Sequence, residues 1–123
     1  MQSIRPERVG SEMLKVISVA VRDYYNEFPG SLVTITSVRM SPDLQIAKVY
    51  LTVFGGSATP QDVIRVLSKH AGAIRHYVGS KIRLRNTPEL RFFYDDTLDK
   101  MDQIQKLIDK AHSEDSTLPI SSL

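Results

Sequence analysis

Apolar residues at Val9, Met13, Val16, Ile17, Ala20 and Tyr24 fall within an arc of about 100° when the chain is wound at the helical period, and Arg5, Arg8, Glu12, Lys15 and Arg22 fall opposite. This is an amphipathic helix, ended by Pro29-Gly30. The pattern then changes from the helical period to a period of two. Val33-Thr34-Ile35-Thr36 alternates and is β-branched throughout, and Ala47, Val49, Leu51 and Val53 recur at every second position. Two strands joined through Ser41-Pro42-Asp43 are expected.

Beyond the turn Gly55-Gly56-Ser57-Ala58, Thr59, Pro60 and Asp62 supply an N-cap, a first-turn proline and an acidic third position. The helix that follows has Ile64, Leu67, Ala71, Ile74 and Val78 on its apolar face. Gly72 lies in the middle of that run, where it costs about 1 kcal/mol relative to alanine, so two helices or one sharply kinked helix are expected. If the run is nearly continuous, Arg65, Lys69 and His76 project within about 40° of one another, with Gly72 beside them as bare backbone. On this reading Gly72 tolerates a larger side chain less well than Gly79 does. Thr87-Pro88 precedes a third strand at Leu90, Phe92 and Tyr94. A last helix begins near Asp96-Thr97, with a core stripe expected at Met101, Ile104, Ile108 and Ala111. From Ser113 the sequence has no periodicity, and residues 113–123 are expected to form a disordered tail behind a single domain of residues 1–112.

Charge changes the picture more than composition does. The formal net charge of the 123 residues is only +2. Between Asp62 and Arg91, however, seven Lys or Arg stand against two acids, and from Asp95 to Asp115 seven acids stand against three Lys. One basic and one acidic surface are implied. In Lys81-Ile82-Arg83-Leu84-Arg85 the alternation puts three cations on one side of an extended segment and two aliphatics on the other, with no acid before Glu89. Phosphate is the commonest partner of such a row, so nucleic acid is the leading ligand class. The candidate RNA-binding residues are Lys81, Arg83 and Arg85, with Arg75 and His76 on the preceding helix, Arg65, Lys69 and Gly72 on the ridge, and Arg5 and Arg8 of the first helix as a second face.

Other chemistry finds little support. The chain has no cysteine, and His70, His76 and His112 share no spacing that would put two on one helical face, so neither a metal site nor a cofactor is expected. No phosphate loop of the GxxxxGK type occurs. Asp95 and Asp96 suit a helix start better than a catalytic pair, and Tyr24, Tyr25 and Phe28 suit a core better than a stacking platform. The N-terminus has no apolar run of the kind found in a signal peptide and no segment approaches a membrane span, so a soluble, cytoplasmic protein is expected.

Two runs carry a resemblance. Arg83-Leu84-Arg85-Asn86-Thr87-Pro88-Glu89-Leu90-Arg91-Phe92 and Ser41-Pro42-Asp43-Leu44-Gln45-Ile46-Ala47-Lys48-Val49-Tyr50, with the order of elements over about residues 4 to 110, resemble the ribosome-binding factor A family. The resemblance implies an α+β, type II KH-like αββααβ fold with a C-terminal helix and a three-stranded sheet packed by helices on one face. In that family a helix kink carrying Ala-x-Gly replaces the usual GxxG loop; here the positions read His70-Ala71-Gly72, so histidine stands in place of the alanine. The implied protein is a monomeric, non-enzymatic assembly factor that binds the immature small ribosomal subunit and its rRNA and supports late rRNA maturation, including in the cold. The alternative from a different class is a protein-interaction module docking through its acidic C-terminal helix.

Overall fold

The computed structural model describes residues 5–115. Helix α1 (Pro6–Val21) runs through a 3-10 turn, Arg22–Glu27, into strand β1 (Leu32–Met40), which turns back into β2 (Ile46–Phe54). Helices α2 (Pro60–Lys69) and α3 (Ala71–Lys81) lead to strand β3 (Glu89–Tyr94), and α4 (Thr97–Asp115) follows. The order αββααβ with a C-terminal helix is the one expected. The sheet is ordered β1-β2-β3, with β1 antiparallel to β2 and β2 parallel to β3.

The alternating strand positions do what their period requires. Val33 and Ile35, Ala47, Val49 and Leu51, and Leu90 and Phe92 point to one face and are buried. Val9, Met13 and Ile17 of α1, Val63 and Leu67 of α2, and Ile74 and Val78 of α3 cover them. Phe28 is buried, and Tyr25 reaches the same core while its hydroxyl donates to the Val33 carbonyl at 2.9 Å. Such a bond is what a partly buried phenol needs.

Local signals set the ends. Thr59 and Asp62 form a reciprocal capping box, Asp62 N–H to Thr59 Oγ1 at 3.1 Å and Thr59 N–H to Asp62 Oδ2 at 3.0 Å, with Pro60 in the first turn. The helical run breaks at His70, whose φ of −100° and ψ of 13° lie off the helix, two residues before Gly72. His70 stacks on Tyr24 with ring centroids 4.5 Å apart, and its Nε2 lies 3.6 Å from Glu27 Oε2. The histidine at the kink therefore ties the α2–α3 junction to the 3-10 turn.

Two expectations change. The glycine order reverses: a Cβ at Gly72 would meet nothing within 4 Å, whereas one at Gly79 would lie 2.8 Å from Thr87 Oγ1. At Gly10, α1 crosses β1 so closely that a Cβ would stand 2.5 Å from the Val38 carbonyl oxygen. The second change concerns α4. Its apolar stripe is not core: Met101, Ile104 and Ile108 are 59%, 56% and 43% exposed, and Leu98 and Leu107 are exposed too. Every residue from Thr97 to Ser113 is exposed. The helix continues to Asp115, three residues past the expected end of the domain at 112. Residues 116–123 of the expected tail lie outside the described residues.

The base of α4 is nevertheless fixed. A bulge in β1 between Ile35 and Ser37 sets Thr36 so that its hydroxyl donates to Asp95 Oδ2 at 2.6 Å. Asp95 Oδ1 accepts from the Thr97 amide at 3.0 Å and from its hydroxyl at 2.5 Å, and the Tyr94 hydroxyl donates to Asp99 at 2.7 Å. The Thr36 bond, followed by those of Thr97, holds the Asp95 carboxyl below its ordinary value.

Gly10→Ala is expected to cost about 1–3 kcal/mol through overpacking against backbone. Gly72→Ala should be neutral or stabilising by up to about 1 kcal/mol, since it adds a better helix former in open space. Thermal melts of the two variants check this, and equal destabilisation at both sites would refute it. Asp95→Ala should cost about 0.5–1.5 kcal/mol at neutral pH through loss of its bonds to Thr36 and Thr97. A lowered folded-state pKa stabilises fully above the unfolded value near 3.8 and is lost as pH falls through the lower folded value. The gap between Asp95→Ala and wild type should therefore hold above about pH 4 and narrow as pH falls below 3.8, as read from urea unfolding at several pH values.

Candidate nucleic-acid interface

The basic segment begins inside a helix. Lys81 is the last residue of α3, its ammonium 5.6 Å from the Tyr77 ring centroid, and the chain becomes extended only at Ile82. From there the alternation holds in burial: Ile82 is buried and Leu84 is packed against the core, while Lys81, Arg83 and Arg85 are exposed. Arg83 and Arg85 have no hydrogen bond or ion pair with the other described residues. Two guanidinium groups held out by buried neighbours, with no carboxylate to neutralise them, suit phosphate.

Arg75 is placed differently. Its Nε and one terminal nitrogen both donate to the Thr87 carbonyl, at 3.0 and 2.6 Å, which clasps the α3–β3 loop onto α3. It positions the loop and keeps its charge at the surface. Arg75, Gly72 and His76 line a hollow of about 350 Å³ together with Asn86 and Thr87. An adjoining hollow of about 410 Å³ lies between that loop and the β1–β2 turn, lined by Asp43, Leu44, Gln45, Leu84, Arg85 and Asn86. Asn86 belongs to both.

The turn side of this surface is stiff. Asp43 Oδ1 accepts from the Ser41 hydroxyl at 2.6 Å and from the Gln45 amide at 3.1 Å, the Ser41 hydroxyl oxygen accepts from the Ile46 amide at 3.0 Å, and Leu44 sits at φ +60°. The Ser41 bond, then the Gln45 amide, lowers the Asp43 carboxyl pKa. Leu44 is the one non-glycine residue in the left-handed region among the described residues. The Glu89 amide donates to the Gln45 carbonyl at 2.9 Å and joins the turn to the end of the basic loop.

The remaining candidates lie apart from the hollows. Arg65 pairs with Asp62 at 3.0 Å, and Lys69 ends α2 just before the break. That break removes the continuous helix on which the alignment of Arg65, Lys69 and His76 depends. Arg5 and Arg8 sit at the start of α1, with Arg8 3.8 Å from Glu12. Sequence reasoning missed Asn86 and Gln45, which line the hollows. Asp95 and Asp96 are occupied at the start of α4, Asp96 3.5 Å from Lys100. Among the described residues no group of three or more His, Cys, Asp or Glu could hold a metal ion, and no helix is long and apolar enough to cross a membrane.

Comparison with known proteins agrees with the fold and with the family resemblance. The family model for ribosome-binding factor A matches residues 5–108. Ribosome-binding factor A of Staphylococcus carnosus (strain TM300) is 37% identical over 115 residues, covering 94% of this chain and 100% of that protein. The Staphylococcus epidermidis protein of the same name is also 37% identical, over 94% of this chain and 99% of its own length. The crystal structure of ribosome-binding factor A from Thermus thermophilus superposes with a TM-score of 0.63 at 20% identity, covering 74% of this chain and 97% of that one. A homology model of the Thermus thermophilus factor, as fitted into the cryo-EM map of a 30S complex, superposes with a TM-score of 0.59 at 20% identity, over 70% of this chain and 90% of that one. By the family match and by these relatives, the chain belongs to the ribosome-binding factor A family.

Proposed function

We propose that this protein binds the immature small ribosomal subunit by gripping rRNA phosphates with the α3–β3 loop. Membership of a ribosome-binding factor family makes it a binding protein rather than an enzyme. The observation that carries the reading is the pair Arg83 and Arg85, exposed, unpaired and held outward by buried Ile82 and half-buried Leu84. Lys81 extends the row, and Arg75 and His76 border the hollow beside exposed Gly72, where backbone can approach a sugar-phosphate chain. Arg65 and Lys69 of α2, and Arg5 and Arg8 of α1, add long-range positive charge.

With His70-Ala71-Gly72 where a GxxG loop would be, a grip on four successive single-stranded nucleotides is not expected, and contact with a structured rRNA site through phosphates is. The fit of the Thermus thermophilus factor into a 30S complex supports the choice of partner. Family membership extends the proposal to support of late rRNA maturation, with its greatest effect in the cold, in the cytoplasm and as a monomer. Mispaired rRNA helices persist longest at low temperature, where a factor that holds the correct arrangement has most to contribute.

Arg83→Glu with Arg85→Glu should leave the melting temperature unchanged and weaken binding to small subunits strongly. Each phosphate no longer engaged should reduce the slope of log affinity against log salt by about 0.7 to 0.9. Binding of wild type and double variant to purified small subunits at several salt concentrations tests this. Equal affinity with an equal slope would put the RNA contact elsewhere, first on the Arg5, Arg8 and Lys15 face of α1.

A further inference from the structure

Helix α4 is the largest feature that the phosphate-binding reading leaves unused. Its 19 residues make an arm about 28 Å long. Met101, Ile104 and Ile108, spaced three and four apart, form one apolar stripe with Leu107 beside it, all of them exposed. Large side chains in one continuous row along a helix mark a surface meant to be covered. The arm's direction is also set, by Asp95 bridging Thr36 and Thr97 and by Tyr94 holding Asp99.

Charge identifies the kind of occupant. From Asp95 to Asp115 seven acids stand against three Lys, and two of those lysines are already engaged, Lys100 with Asp96 and Lys106 with Asp102. Such a helix is repelled by a phosphate backbone. Its spacing of anchors at i, i+3 and i+7 is that of a helix laid in a protein groove. We infer that α4 docks through Met101, Ile104 and Ile108 into an apolar, basic-rimmed groove on a protein of the small ribosomal subunit, while the α3–β3 loop holds rRNA. This rests on the ribosome reading above and adds a second contact of opposite charge and different chemistry. A second copy of the chain is the less suitable occupant, because it brings the same excess of acids to the stripe.

The test uses Ile104→Asp with Ile108→Asp and, to preserve helix propensity, Ile104→Gln with Ile108→Gln. The glutamine pair should leave the melting temperature unchanged, since both positions are exposed to solvent. Both pairs should weaken binding to purified small subunits by about tenfold or more. The glutamine pair, which adds no charge, should leave the salt slope and the affinity for protein-free small-subunit rRNA unchanged. The Arg83→Glu, Arg85→Glu variant should lose affinity for both probes. Wild-type affinity of the stripe variants for subunits would overturn the inference, and so would an equal weakening of the glutamine pair on protein-free rRNA. Sedimentation equilibrium showing a wild-type dimer that the stripe variants abolish would assign the stripe to a second copy and overturn it as well. Failure of the wild-type protein to bind subunits at all would instead remove the ribosome reading, and this inference with it.

Discussion

The parallel pairing of β2 with β3 is the constraint on which the surface depends. Antiparallel neighbours can be joined by a tight turn, as β1 and β2 are, but parallel strands require the chain to travel back to its starting end. Here α2 and α3 make that journey, and Ile46 opposite Glu89 fixes where it must finish. Residues 82–88 therefore arrive beside the Ser41–Gln45 turn whatever their own preferences. The bond from the Glu89 amide to the Gln45 carbonyl is the first link of this arrangement. Two segments about forty residues apart thus line one surface, with the cations of one beside the rigid hairpin of the other.

Burial then converts sequence alternation into presentation. Ile82 and Leu84 belong to the core and its margin, so the residues between and beside them have only solvent to face. Arg75 performs the complementary task from the helix side, committing two of its N–H donors to the Thr87 carbonyl. A loop so held presents its charges without first having to be ordered, which lowers the entropic cost of binding.

The legible part of the fold is what repeats. Apolar positions at periods of 3.6 and 2 mark α1, the three strands and the α2–α3 run, and Thr59-Pro60-x-Asp62 marks a helix start that the capping box bears out. What depends on distant neighbours is not legible. Gly72 has the sequence setting of a tight spot, yet only the fold decides that Gly79 faces Thr87 and that Gly10 abuts Val38. Lys81 to Arg85 alternates like a strand, but a helix end followed by an extended residue gives the same burial. The stripe on α4 is apolar as its period says and exposed where a core was expected, because periodicity reports which residues share a face and not what covers it. For the candidate site, Arg83 and Arg85 are legible from their alternation with buried aliphatics. Asn86 and Gln45 are not, since single amides in turns carry no periodic signal.

Asp95 is the joint between the two halves of the surface. It ends the ladder with its amide on the Leu51 carbonyl, while its carboxylate takes one bond from Thr36 in β1 and two from Thr97 in α4. A flexible hinge at this point would let α4 sweep freely, and any contact at its far end would then have to be ordered at the moment of binding. With the base held by these bonds, a contact made by the basic loop would raise the effective concentration of the apolar stripe at a second site. Carboxylates suit the joint for a further reason. The seven acids from Asp95 to Asp115 follow the end of β3 that is far from Arg83 and Arg85, which sets a contrast of sign between α4 and the basic loop.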